Sequence, residues 1–286
     1  MRRALLTLSS LLGLVAAPLA AQAPSKNAAV EACKGCTALL EKVAASPLRK
    51  DDRARDAARH PVESLSFFQV GPEAKVGEYA PGGEWYSRFL GLYLGPKGHL
   101  VGLFFDPASG AFKPETQERI RKSATGYPAD VAKFTGIDAS HFAAYTLDAV
   151  PEGEKGTFDV ILIPRMLHNL LNWNIADSEI KTMRALLKPA GLVGIEQHRA
   201  KADAPYSYTD GSKGYLREAD VIRFMEVNGF DLVARSEINA NPKDSANWPD
   251  GVWTLPPTYA LKEQDKAKYQ AIGESDRMTL LFRKRD

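Results

Sequence analysis

A glycine-rich turn separates an apolar run from an amphipathic one in Val76-Gly-Glu78-Tyr-Ala80-Pro81-Gly82-Gly83-Glu84-Trp85-Tyr86. Glycines at such a turn let the backbone approach a ligand closely, and the N-terminus of the following helix offers unpaired N–H groups. In an open α/β sheet the turn lies outside the carboxyl end of a strand, where ligands of such sheets bind. A nucleotide-like ligand is therefore expected. A dinucleotide fingerprint asks for a further glycine where the helix packs on the strand, and the bulky Tyr86 in that position argues against a nicotinamide dehydrogenase. A second group with chemical potential is Pro164-Arg-Met-Leu-His168-Asn169, which follows the apolar run Phe158-Asp-Val-Ile-Leu-Ile163. His168 has the right type to accept a proton from a hydroxyl or amine nucleophile, or else to buttress the helix after the strand. His198 is a second such histidine, with Glu196 two residues earlier on the same strand face. These side chains are also metal-ligand types, but their spacing does not demand a metal and none is assigned. No Gly-x-Ser-x-Gly elbow supports a hydrolase.

The elements that must position these residues follow from hydropathy. From residue 74 onward, short apolar runs alternate with longer amphipathic ones, the pattern of βαβ units. Strands are expected near 74–79, 99–105, 142–146, 158–163, 191–197, 230–238 and 276–284, and helices over 84–94, 115–133, 176–188 and 217–228. Pro189-Ala-Gly191 reads as a helix stop before a strand, and Asn228-Gly229 as another. Segment 239–275 joins the last two strands and contains Trp248-Pro-Asp-Gly-Val-Trp253-Thr-Leu-Pro-Pro257. Loops of this length inside a domain are usually functional, and Trp248 and Trp253 are expected to fold over the site as a lid.

The N-terminus adds information of another kind. Arg2 and Arg3 precede an uncharged run that ends in small residues near Ala21 and Ala23, the layout of a cleavable secretory signal. Residues 1–23 are thus expected to direct export to a periplasmic or secreted location. Residues 24–50 read as a tail or loosely attached helix carrying Cys33-Lys-Gly-Cys36, a pair that an oxidising compartment would favour as a local disulfide. The domain proper is expected over 51–286. Lys and Arg total 37 against 35 Asp and Glu, so no overall field recruits nucleic acid or an anionic membrane, and no later run is apolar enough to form a stable span.

Taken together, residues 51–286 resemble an often exported bacterial group of predicted class I S-adenosylmethionine-dependent methyltransferases. The resemblance rests on Asp52-Arg-Ala-Arg-Asp-Ala-Ala-Arg-His60-Pro, the Pro81-Gly-Gly-x-Trp-Tyr turn, Leu167-His168-Asn169 and Glu274-Ser-Asp276-Arg277-Met. It implies a Rossmann-like class I methyltransferase fold, a seven-stranded, mostly parallel sheet with helices on both faces, and S-adenosylmethionine as cofactor. Glu78, Pro81, Gly82, Gly83, Trp85 and Tyr86 match the cofactor loop, although Glu84 replaces the third glycine common in the group. The fold also implies Asp106, after the second strand, on the ribose hydroxyls and Asp148, after the third, near the adenine, the other readings being a turn Asp before Pro107 and a loop Asp. His168 and Asn169 then face the acceptor, which is expected to be a small molecule. The alternative is an exported small-molecule or metal-binding protein that keeps the fold without methyl transfer.

Overall fold

The computed structural model describes residues 35–82 and 84–286. Expectations that fall on residues 1–34 and on Gly83 lie outside the described residues. The chain opens with helices α1 (Cys36–Ala44), α2 (Asp56–Arg59) and α3 (Pro61–Phe67), then runs into strand β1 (Lys75–Tyr79), α4 (Trp85–Leu94), β2 (His99–Phe104), α5 (Pro114–Thr135) and β3 (Phe142–Thr146). It continues through β4 (Phe158–Pro164), α6 (Leu167–Asn172), α7 (Ala176–Leu186), β5 (Leu187–His198), α8 (Tyr206–Thr209), α9 (Glu218–Val227), β6 (Phe230–Ser236), α10 (Lys266–Ile272) and β7 (Arg277–Lys284).

The strands form one sheet in the order β3-β2-β1-β4-β5-β7-β6. β1 to β5 run parallel, whereas β7 lies antiparallel between β5 and β6. The seven-stranded, mostly parallel sheet is as expected from the sequence. Its parallel strands are continuous apolar runs because helices cover both faces. One face packs Ile161, Ile163, Val193 and Ile195 against Ile180, Met183 and Val221 of α7 and α9. The other packs Val76, Leu100, Val160 and Leu162 against Phe89 of α4, Tyr127 of α5 and Phe68.

Two boundaries differ from the sequence reading. Helix α7 stops at Leu186, because Leu187 already pairs with Phe158 at the start of β5, before the Pro189-Ala-Gly191 punctuation. The stretch expected as a tail or loosely attached helix is, over its described residues 35–50, docked on the core. Leu40 and Val43 of α1 are buried in the core with Leu65 and Phe68, so the packed unit begins before Asp51. An amphipathic helix with two core-facing positions buries enough apolar surface to stay docked. Cys36, on the same helix, is disulfide-bonded.

Order reversal between β1 and β4 opens a crevice at the carboxyl ends of the parallel strands, the ligand-binding edge of such sheets. All loops discussed below leave that edge.

Candidate active site

The glycine-rich loop after β1 carries the conformation that its residue types only half announce. Ala80 (φ 51°) and Glu84 (φ 56°) flank Gly82, and both are in the left-handed region usually left to glycine. The backbone therefore takes a glycine-like conformation at two positions that carry side chains. Gly82 has open space around it: an added Cβ would meet nothing nearer than the Ala80 carbonyl oxygen at 3.7 Å.

Two cavities meet at this loop, and Gly82 belongs to both. The larger, about 460 Å³, lies between the loops after β1 and β2 and helix α5. Phe105, Phe112 and Trp173 form its aromatic wall, with ring centroids 5.3–5.6 Å apart. Phe104, Pro81 and Met166 extend the apolar surface, and Thr116, Ser123 and Arg119 are its polar residues. Glu179 of α7 braces the entrance. It accepts hydrogen bonds from Tyr79 Oη and from the Asp106 backbone N–H, each at 2.8 Å, and so ties the ends of β1 and β2 together. Burial pushes its carboxyl up to about 7.

The smaller cavity, about 230 Å³, lies across Gly82. Arg55, Arg59 and Arg165 line it with Glu274, Ser275 and His198, and Val252, Trp253, Pro256 and Pro257 close it on the apolar side. Arg165 directly follows β4 with a left-handed φ of 54°, and its N–H donates to the Glu196 carbonyl at 2.6 Å. Behind this surface Glu196 is buried between Arg165 and Arg277 and accepts from Tyr86 Oη at 2.6 Å. Burial pushes the Glu196 carboxyl up, but the two guanidiniums and the Tyr86 hydroxyl hold it down at about 2. His198 Nδ1 is 2.6 Å from Ser275 Oγ. Burial, His168 and the nearby arginines drive the His198 imidazole well below its usual range, so it is neutral.

The structure sorts the residues singled out by sequence into three groups. Pro81 and Gly82 line the larger cavity, and Trp253 lines the smaller one. Glu78, Trp85, Tyr86, His168 and Asn169 stand behind the cavities and shape them. Glu78 accepts from Ser87 Oγ at 2.6 Å and Tyr127 Oη at 3.1 Å, locking α4 and α5 to the end of β1, and burial pushes its carboxyl up to about 7. Trp85 donates to the Asp52 carbonyl and lies under the guanidiniums of Arg49 and Arg59. His168 is buried, with Nδ1 3.3 Å from Gln197 Oε1, and Asn169 donates to Met166 Sδ. Burial lowers His168 to about 4. The remaining three are outside the lining of both cavities. Asp106 closes a turn by accepting from the Ala108 N–H at 2.6 Å, Asp148 faces Arg121 at 4.0 Å, and Trp248 donates to Asp244 at 2.7 Å. Of the two tryptophans expected in a lid, Trp253 lines the smaller cavity, whereas Asp244 pins Trp248 into the body of the segment. Among the described residues no group of three or more His, Cys, Asp and Glu side chains is placed to hold a metal ion.

The fold has structural counterparts. The chain is similar to a SAM-dependent methyltransferase from Aquifex aeolicus, with 13% identity, a TM-score of 0.51, and coverage of 86% of this chain and 97% of that one. The fold is that of the class I methyltransferases. Less similar are the [4+2]-cyclase SpnF (15% identity, TM-score 0.48, 88% and 94% covered) and the 1,6-didemethyltoxoflavin-N1-methyltransferase of Burkholderia thailandensis with bound S-adenosylhomocysteine (15%, 0.46, 95% and 94%). No family model and no curated protein sequence matches the chain.

Arg55, Arg59, Arg165 and Ser275 are the site residues that sequence reasoning did not assign. The signal was present in Asp52–His60 and Glu274–Arg277, two stretches noted only as marks of resemblance. Tertiary structure joins them, because Glu274 receives Arg55 and Arg59 at 3.5 and 3.3 Å.

Proposed function

We propose that the protein transfers a methyl group from S-adenosylmethionine to a small-molecule acceptor. The observation that carries this reading is the position of Gly82, whose bare backbone divides a cofactor-sized apolar cavity from a smaller charged one. A donor and an acceptor held on the two sides would meet at that loop.

The larger cavity suits the cofactor in shape and surface. Its volume falls in the usual range for small-molecule sites. Phe105, Phe112 and Trp173 offer flat apolar surface to the adenine. The free space over Gly82 leaves room for the amino acid portion, and the hydroxyls of Thr116 and Ser123 would serve the ribose. When bound, the cofactor supplies a methyl group on a positively charged sulfur, already activated for displacement.

The chain's own part is to place the reactants and exclude water. Pro81 and Gly82 set the donor side, and Trp253 with Pro256 and Pro257 covers the acceptor side. His198, oriented by Ser275, would receive the acceptor's proton on the ring nitrogen that Ser275 does not engage. Its neutral form is the one able to accept. His168 and Asn169 act as positioning residues, through Gln197 and Met166.

The test is calorimetric titration with S-adenosylmethionine and S-adenosylhomocysteine. Heat of binding that disappears in Gly82→Val supports the reading, and its absence from the folded parent protein would overturn it. One observation favours the second reading, a binding protein that retains the fold: no Asp or Glu is among the described residues lining the larger cavity, although a carboxylate after the second strand commonly bonds the ribose. We also infer that residues 1–23 direct export and are removed. N-terminal sequencing of the native protein should then start at or near Gln22, whereas an intact Met1 would refute export with cleavage.

A further inference from the structure

The smaller cavity is more specific than a generic acceptor pocket. Four guanidiniums, those of Arg55, Arg59, Arg165 and Arg277, share two carboxylates, Glu196 and Glu274. The other acids near these elements are engaged elsewhere: Asp56 with Arg49, Asp52 with Arg88, and Asp276 with Arg199. His198 is neutral and offsets nothing. The surplus is positive and largely sequestered, since the side chains of Arg59 and Arg277 are 4% and 2% exposed. Unbalanced charge out of water is expensive unless it is paired.

Much of the remaining lining is apolar, with Val252, Trp253 and the prolines 256 and 257 sharing the cavity of about 230 Å³ with the arginines. That volume is below the usual span for drug-sized ligands. We propose that this cavity binds a small carboxylic acid with a planar or compact apolar body, its carboxylate held by Arg55, Arg59 and Arg165 and its body against Trp253. Planar guanidiniums match a carboxylate through paired hydrogen bonds, which a neutral amide cannot reproduce. Arg59 carries the electrostatic mark of an open position: burial and the neighbouring Arg165 lower it to about 10 despite Glu274. An anion at this place would relieve that repulsion. Naming the carboxylic acid as the acceptor rests on the methyl-transfer reading; binding of the acid does not.

The experiment uses the mature protein, titrated by calorimetry with benzoate and with its neutral isostere benzamide, each with and without saturating S-adenosylhomocysteine. Benzoate should bind in both conditions and benzamide should not. Arg59→Met should weaken benzoate about tenfold or more, the loss of one charge-assisted hydrogen bond. Arg55→Gln, at a side chain one-third exposed and therefore safer for folding, should weaken it in the same direction. Trp253→Ala should weaken it as well and leave S-adenosylhomocysteine binding in place. Benzamide binding as tightly as benzoate, no benzoate binding at all, or benzoate affinity unchanged in both arginine variants would overturn the proposal. Exclusion of benzoate by S-adenosylhomocysteine would overturn it too, because the arginines would then serve the cofactor's own carboxylate. If benzoate binds while S-adenosylhomocysteine gives no heat, the anion site stands and the methyl-transfer reading falls.

Discussion

Gly82 shows how much a single missing side chain can decide. Its surroundings leave room for a Cβ, and its backbone is not in the left-handed region, so Gly82→Val should fold with an unchanged melting temperature. The valine methyl groups would instead project into space that both cavities share, and S-adenosylhomocysteine affinity should drop at least about tenfold by calorimetry. The two central histidines should separate in the same way. His198 lines the smaller cavity and His168 does not. Once an acceptor is known, His198→Ala should lower kcat by roughly 10²-fold with cofactor affinity retained, the scale of general-base catalysis. His168→Ala should act mainly on stability through the lost Gln197 contact. A His168→Ala enzyme that folds normally yet loses turnover by the larger factor would return the base assignment to His168.

At the scale of elements, the loop between β1 and α4 holds strain that two substitutions can read. A non-glycine residue in the left-handed region costs roughly 1–2 kcal/mol. Glu84 offsets little of this through its half-exposed ion pair with Arg88, since such pairs contribute about 0–1 kcal/mol. Glu84→Gly should therefore raise stability by about 1 kcal/mol in urea denaturation, where glycine inside a regular element would lower it. The opposite sign is expected in β5. A Cβ on Gly194 would fall 2.6 Å from the Phe68 ring, and Phe68 is fully packed between sheet and helices. Gly194→Ala should destabilise by about 1–3 kcal/mol, the usual penalty for overpacking. A neutral Gly194→Ala would mean that α3 rides loosely on the sheet.

For the molecule as a whole, buried acids and bases set opposing pH limits. Glu78 and Glu179 are raised to about 7 by burial. Their native forms hold a proton more tightly than the unfolded chain does, so the stability they contribute is complete below the unfolded value near 4.5 and is lost as pH rises through 7. His168, lowered to about 4, and Glu196, held at about 2, act in the other direction. The His168 contribution fades as pH falls from 6.5 to 4, and that of Glu196 below about 4.5. With these two raised carboxyls against the one lowered imidazole of His168, melting temperature should thus peak at about pH 4.5 and decline from there to about pH 7, and Glu78→Gln should flatten that decline on the alkaline side of the maximum. An unchanged alkaline limb in that variant would remove Glu78 as its source. Much of this architecture was legible in the amino-acid sequence. Strand positions follow from local apolar runs, helix positions from amphipathic spacing, and the ligand edge from the Gly82 turn, all signals carried within about twenty neighbouring residues. The strained loop was visible in part, as Glu84 standing where a glycine is expected. Which polar residues line a cavity and which brace it was decided by tertiary structure alone. Glu78 and His168 bear the right chemistry but are turned into helix and strand partners. The arginine cavity, by contrast, draws residues 55, 59, 165 and 274 together from across the chain. Local sequence specifies where backbone hydrogen bonds and apolar stripes repeat. The burial and charge of a given side chain depend on neighbours more than one hundred residues away, and only the packed fold supplies those.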